Sequence, residues 1–157
     1  MNKLTLVCFL LTITRTTVPA QSTEETAIKT VIERETQSWL NRDAYAIARC
    51  WAAVSYATHL GLRTDGKAFF STNEQGQITQ TIRNVSLQAA QPDRSTFANS
   101  DNRIRINGTS AFVTFAQLRT APEGHVEQYY QTRNMEKQQG SWQIVHASAL
   151  FRHPENK

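Results

Sequence analysis

The stretch RIRINGTSAFV, residues 103–113, decides the fold class, because it has the pattern of two strands joined by a tight turn. Ile104 and Ile106 alternate with polar residues, as on a half-buried strand. Asn107-Gly108 is the strongest short signal for a hairpin turn, and residues 111–118 supply the returning strand. The sequence therefore predicts antiparallel β structure at this point.

Two further strands are predicted after the hairpin, over residues 126–137 and 141–151, with a turn at Gln139-Gly140. Regular alternation along the last strand predicts two faces, one with Trp142, Ile144, His146 and Ser148, the other with Val145, Ala147, Ala149 and Phe151. Apolar side chains occur on both faces. Both are therefore expected to be covered, one by helices and one by another chain.

Helices are predicted before the hairpin. A long first helix from Thr23 to Asn41 is indicated by side chains at three- and four-residue spacing, namely Ala27, Ile28, Val31, Ile32, Glu35 and Trp39. Asp43 is placed to cap a short second helix that ends at Cys50 or Trp51.

Between this helix pair and the hairpin, residues 54–62 and 67–70 have β character. A third helix carries Ile78, Ile82 and Val85, has candidate caps in residues 71–74, and ends before Gln91-Pro92-Asp93. Because the helices are predicted in the first part of the chain and an antiparallel meander in the second, we expect an α+β domain. We expect one domain over residues 21–153 and a polar tail at 154–157.

The first twenty residues have the pattern of a secretory signal: Lys3, an apolar run at 4–13, and the small-residue cleavage site Val18-Pro19-Ala20. The apolar run is shorter than the ~20 residues that span a bilayer. We therefore expect an exported protein, periplasmic or secreted, with no membrane span after cleavage. Cys50 is then the one remaining cysteine, expected as a buried small side chain or as a cross-link between chains.

Composition indicates a globular protein rather than a disordered one, with 39% hydrophobic and 19% charged residues. Without residues 1–20 the chain has 15 basic and 13 acidic residues, so nucleic acid is not an expected partner. The histidines at 59, 125, 146 and 153 lack metal-ligand spacing, and no phosphate-binding loop occurs. No metal and no cofactor are predicted.

The order of these segments resembles the NTF2-like superfamily, in particular its SnoaL-like and DUF4440-type members. The similarity extends over residues 24–151 and is carried by the segments WLNRD (39–43), RIRINGTSAFV (103–113), RNMEK (133–137) and GSWQIVH (140–146). It implies a cystatin-like cone, in which a long N-terminal helix and two shorter ones pack on a curved, mainly antiparallel sheet. It also implies a pocket between helix and sheet and commonly a homodimer through the outer sheet face.

Enzymes of this superfamily bury a carboxylate as a general base, but residues 112–117, where inward acids are expected on a strand, include no Asp or Glu. His146 is the candidate catalytic residue, as a base or as a group that orients a ligand carbonyl. The alternative is a hydrogen-bonded core histidine.

Six further residues are predicted to line the pocket: Trp39, Tyr56, His59, Phe115, Arg133 and Ser148. Arg133 could bind a carboxylate or phosphate, form an ion pair with Glu35 or Glu136, or lie on a solvated face. Tyr56 and His59 differ in strand parity, so at most one of them points inward unless a bulge intervenes. Trp39, like Trp51, is more typical of a core than of ligand stacking.

Three functions fit this pattern. The first is an exported NTF2-like domain that binds a small, mainly apolar molecule in its cone without turnover. The second is an isomerase, cyclase or dehydratase that uses His146 as its base. The third is a non-catalytic, dimeric interaction module with a filled cone.

Overall fold

The computed structural model describes residues 18–88 and 91–152. Within them are three helices, α1 (Val18–Asn41), α2 (Ala44–Cys50) and α3 (Gln77–Gln88). The six strands are β1 (Thr58–Leu62), β2 (Ala68–Thr72), β3 (Thr96–Asn107), β4 (Ser110–Thr120), β5 (Val126–Gln138) and β6 (Ser141–Arg152). They form one sheet in the order β2-β1-β6-β5-β4-β3, in which only β1 and β6 pair in parallel. The predicted α+β class is confirmed.

Local signals in the sequence account for the helix boundaries. Asp43 accepts a hydrogen bond from the Ala46 amide at 2.9 Å and so caps α2, as predicted. The Asn73 side chain accepts from the Thr79 amide at 3.2 Å beside the first turn of α3. Within the described residues α1 already includes Val18, so the helix extends beyond the start predicted at Thr23. Most of the predicted signal, residues 1–17, lies outside the described residues, as do His153 and the predicted tail at 154–157.

The core lies between the helices and the inner face of the sheet. Ile28 and Ile32 of α1 and Ile47 of α2 are almost fully buried against Val113, Met135 and Ile144 of the sheet. Helix α3 adds the side chains predicted for it, Ile78, Ile82 and Val85. Burial of these side chains supplies the main driving force for folding.

A bulge in β6 changes which side chains point towards this core. Met135 pairs with Ile144, but its neighbour Asn134 pairs with His146, so Val145 is an extra residue in the ladder. The carbonyl oxygen of Ile144 accepts a hydrogen bond from the Ala52 amide at 2.9 Å, which ties the chain after α2 to the bulge. Beyond Val145 the alternation is reversed, so Ala147 points inward and His146 outward.

Candidate functional site

The prediction that His146 shares a face with Trp142 and Ile144 is therefore wrong, because the bulge at Val145 interrupts the alternation. His146 and Ser148 lie on the outer face, where their strand neighbours are Asn134 and Thr132. The structure divides the predicted site residues into two groups. Trp39, His59, Phe115 and Arg133 belong to the interior, whereas Tyr56, His146 and Ser148 belong to the outer side.

The interior is organised around an ion pair between Glu35 of α1 and Arg133 of β5. An Nη2 atom of Arg133 lies 3.3 Å from Glu35 Oε2, and both side chains are at least nine-tenths buried. Nη1 of the same guanidinium donates to Gln131 Oε1 and to the carbonyl of Thr132, each at 2.9 Å. Of the partners predicted for Arg133, the structure selects Glu35. The Nε atom of Arg133 is buried and has no hydrogen-bond partner among the described residues.

Two tryptophans hold the other oxygen of the carboxylate. Glu35 Oε1 accepts the indole N–H of Trp39 at 2.8 Å and that of Trp51 at 3.4 Å. Trp51 is buried and Trp39 is half-buried against the core. The interior acid therefore comes from the long helix and not from a strand, and its charge is balanced by a guanidinium and two indole donors.

A chain of amides continues from the ion pair towards solvent. The Gln131 amide donates to Gln117 Oε1 at 2.9 Å, and the Gln117 amide donates to Asn99 Oδ1 at 3.0 Å and to Thr36 Oγ1 at 3.4 Å. Gln131 and Gln117 are buried, whereas Thr36 and Asn99 are half-buried. Sequence reasoning missed both glutamines, although they share the parity of Arg133 on β5 and of Phe115 on β4.

His59 lies on the inner face beside Trp51 and Phe69, with ring centroids 5.6 Å and 4.9 Å from its own. Burial lowers its pKa to about 4; the negative charge of Glu35 opposes this shift, and the positive charge of Arg133 adds to it. His59 is therefore neutral at neutral pH. As predicted, only one of Tyr56 and His59 points inward: His59 does, whereas Tyr56 lies on the outer side.

The space next to Trp39, Trp51 and His59 is small. The cavity between them and α3 has a volume of about 10 Å³, which is close to the minimum for one water molecule. The interior therefore differs from the mainly apolar, open pocket that the sequence predicted. Side chains fill this part of the interior, and the buried ion pair of Glu35 and Arg133 lies elsewhere within it.

The outer side carries a larger concavity, which we call the outer groove. It has a volume of about 510 Å³ and its lining includes Tyr56, Thr58, Arg105, Phe112, Glu136 and His146. The Tyr56 hydroxyl donates to Glu136 Oε2 at 2.7 Å, and Thr58 Oγ1 lies 2.7 Å from His146 Nδ1. Burial and the charge of Arg133 on the opposite face lower the pKa of His146.

Large apolar side chains lie exposed on the same face of the sheet. They are 39–66% exposed, and we call them the outer patch: Phe70, Phe112, Leu118, Val126, Tyr130 and Leu150. Tyr130 and Leu150 are direct cross-strand neighbours, and Leu118 and Val126 are diagonal ones. Small polar side chains separate them, and Thr132 and Ser148 join their hydroxyls at 2.6 Å.

Cys50 is buried in the interior, where its thiol donates to the carbonyl of Ala46 at 3.4 Å. Burial raises the pKa of this thiol to about 11, so it is protonated and unreactive near neutral pH. No helix of the described residues has both the length and the hydrophobicity to cross a membrane. Nor do residues 18–88 and 91–152 bring together three or more His, Cys, Asp or Glu side chains in the manner of a metal site.

Comparison with known proteins shows the fold. No family model matches the sequence, and no curated protein matches it at a significant level. An NTF2-like protein from Pseudomonas putida superposes with a TM-score of 0.66 at 16% identity, over 86% of this chain and 91% of that one. A cystatin-like protein from Nostoc punctiforme superposes with a TM-score of 0.65 at 14% identity, over 83% and 92%. Both are described as proteins of unknown function.

The association domain of CaMKII from C. elegans superposes with a TM-score of 0.62 at 15% identity, over 83% of this chain and 97% of that domain. These neighbours show that the described chain has the NTF2-like, cystatin-like fold predicted from its sequence. The finer resemblance to DUF4440-type and SnoaL-like members stays a prediction.

Proposed function

From the NTF2-like fold as premise, we propose that this protein is a non-catalytic interaction module that associates with a second copy of itself through the outer face of its sheet. The observation that carries the proposal is the outer patch. Clustered exposed apolar side chains, here the cross-strand pair Tyr130 and Leu150 and the diagonal pair Leu118 and Val126, are typical of an interaction site. Here it extends over four of the six strands, β2, β4, β5 and β6.

The small size of the cavity beside Trp39, Trp51 and His59 supports an external rather than an internal site. A drug-sized ligand occupies a pocket of about 300–1,000 Å³, whereas the space beside His59 is about 10 Å³. An apolar guest in the cone would also have to lie against Glu35 and Arg133, two charges that already satisfy each other. Binding in the cone, with or without turnover, therefore needs a rearrangement that binding to the outer face does not need.

A second copy is the partner that the outer face fits best. A two-fold dimer applies the same surface twice, so a self-complementary face is required. Apolar side chains cluster around Tyr130 and Leu150, while Arg105 and Glu136 supply opposite charges at the outer groove. The CaMKII neighbour is itself named an association domain, which supports self-association as one use of this fold.

Charge substitutions in the patch test the proposal. We expect the full-length chain to sediment as a dimer, and the double variant Tyr130→Glu/Leu150→Glu to sediment as a monomer with an unchanged far-UV circular dichroism spectrum. Leu87→Glu is the matched control, because Leu87 is an even more exposed apolar side chain, on α3 and outside the patch. A monomeric wild-type chain, or a double variant that dimerises as the wild type does, would contradict the proposal.

A second candidate function, small-ligand binding in the outer groove, is favoured by its volume of about 510 Å³ and by its titratable lining. His146 is oriented there by Thr58, and Phe112 offers an exposed ring. A search for ligands by native mass spectrometry of wild type and His146→Ala tests this. A ligand that both proteins retain equally would contradict a role for His146.

We also propose export, on the basis of the signal-like pattern of residues 1–20. N-terminal sequencing of the protein recovered from the envelope or medium tests it. A mature chain that begins at Gln21 is expected, and an intact Met1 on protein that stays in the cytoplasm would contradict export.

A further inference from the structure

A second groove lies where α1 and α2 meet the turn between β5 and β6. Its volume is about 510 Å³, and its lining includes Glu24, Val31, Arg34, Arg49, Lys137 and Trp142. No residue of the outer groove takes part in it, so it is independent of the surface proposed for self-association. We call it the basic groove.

One of its three cations is already neutralised. Lys137 Nζ lies 2.7 Å from Glu24 Oε1 and 5.4 Å from the centre of the Trp142 ring. The second oxygen of Glu24 accepts the indole N–H of Trp142 at 2.6 Å. These hydrogen bonds, first from Lys137 and then from Trp142, lower the pKa of Glu24. The carboxylate therefore stays ionised and fixes one wall of the groove.

The other two cations are not balanced by acidic side chains. Arg34 projects from α1 and Arg49 from α2, both are exposed, and neither has an ion pair with any acid of the described chain. The guanidinium of Arg49 lies 5.9 Å from the centre of the Tyr45 ring. A hydrogen bond from the Gln143 amide to the Arg49 carbonyl, at 3.5 Å, links α2 to β6 at this point. The fold thus brings two like charges to one concavity, an arrangement that a bound anion would stabilise.

We propose that the basic groove binds an organic phosphate monoester or a similar ester that carries an anionic oxygen group. Guanidinium groups present paired donors that match the oxygens of phosphate. The Ser141 hydroxyl and the Gln143 amide of the lining add uncharged donors. Ala27 and Val31 are the apolar side chains of the lining that the organic part of the ligand would contact, and the volume lies in the range of small-molecule sites.

Titration calorimetry with phenyl phosphate, and separately with inorganic phosphate, tests the proposal on the full-length chain. We expect saturable binding of both, tighter for phenyl phosphate because only it has an apolar part that can contact Ala27 and Val31. In the double variant Arg34→Gln/Arg49→Gln the dissociation constant should rise about tenfold or more, since each charged hydrogen bond contributes roughly a factor of ten. Arg63→Gln/Arg94→Gln is the matched control, because it removes two exposed charges outside the groove.

Two outcomes would overturn the proposal. One is no saturable binding of either probe beyond a chloride control at equal ionic strength. The other is equal weakening in the test and control variants, which would indicate only the general positive charge of the chain. Flotation with phosphatidylglycerol vesicles distinguishes the source of the phosphate. If the wild type binds vesicles and Arg34→Gln/Arg49→Gln does not, the ligand is a lipid headgroup. If the wild type binds phenyl phosphate but no vesicles, the ligand is a free phosphate ester.

Discussion

The ion pair between Glu35 and Arg133 makes the sharpest prediction about stability. Arg133→Met removes the one cation of the described residues that pairs with the Glu35 carboxylate and leaves that carboxylate with two indole donors. Glu35→Gln removes the charge from the other side and leaves the Arg133 guanidinium uncompensated. Because both side chains are about 5% exposed, each single substitution should lower the free energy of unfolding by about 3–5 kcal/mol.

The double variant Glu35→Gln/Arg133→Met should lose much less than the sum of the single variants, because it contains no unpaired buried charge. We expect a coupling free energy of about 2 kcal/mol or more. Arg119→Met is the matched control. Arg119 pairs with Asp93 and Glu127 at 3.0 Å and 2.9 Å, but its side chain is 27% exposed. We therefore expect a loss of about 1 kcal/mol or less for this control.

The assay is urea unfolding followed by far-UV circular dichroism, with the midpoint and slope compared across the five proteins. Tryptophan fluorescence is unsuitable as the main signal, because Trp39 and Trp51 contact the substituted carboxylate directly. A coupling free energy within about 0.5 kcal/mol of zero would refute the reasoning. The same holds if Arg133→Met is no more destabilising than Arg119→Met.

Three further predictions concern single interior residues. Burial lowers the pKa of His59 from 6.5 in the unfolded chain to about 4 in the folded one. Between pH 6.5 and pH 4 the unfolded state therefore binds more protons than the folded state, and the free energy of unfolding should fall by about 2–3 kcal/mol as the pH is lowered over this range. Urea midpoints measured across that range check this, and His59→Gln should flatten the dependence; an unchanged slope in the variant would contradict it. Gly61→Ala places a Cβ 2.5 Å from the Ala149 carbonyl oxygen, so it should lower the free energy of unfolding by about 3 kcal/mol or more. A variant with the same thermal midpoint as the wild type would show that β1 and β6 can move apart at little cost. In a Cys8→Ser chain, Cys50 should react with a thiol reagent only after unfolding, and rapid labelling of the folded protein would disprove its burial.

Much of the architecture could be predicted because it depends on local signals. The Asn107-Gly108 turn, the Asp43 cap and the apolar spacing around Ile28 and Ile32 each occur where short-range physics favours one structure. These signals set the class and the order of the elements. The extension of α1 over residues 18–22 was less predictable, because the small residues around Pro19 also fit a cleavage site.

The candidate site was harder to predict, because it depends on one irregular residue. Regular alternation along β6 placed His146 inside, and the extra residue Val145 moved it outside. A single bulge leaves no mark in hydrophobic periodicity when both faces carry apolar side chains. The helical spacing predicted that Glu35 faces the core. That it pairs with Arg133 rather than with another residue depends on strand pairing, which no local pattern specifies.

Distance measurements between two copies test the role of the outer face most directly. Spin labels would be attached at Ser110→Cys on the outer face or at Lys29→Cys on α1, each in a Cys8→Ser/Cys50→Ala background, and compared by double electron–electron resonance. Ser110 lies on the face that the two copies share and Lys29 on the helix side, so the account predicts a shorter intermolecular distance for Ser110 than for Lys29. The absence of any intermolecular signal for Ser110, or a shorter distance for Lys29 than for Ser110, would contradict it.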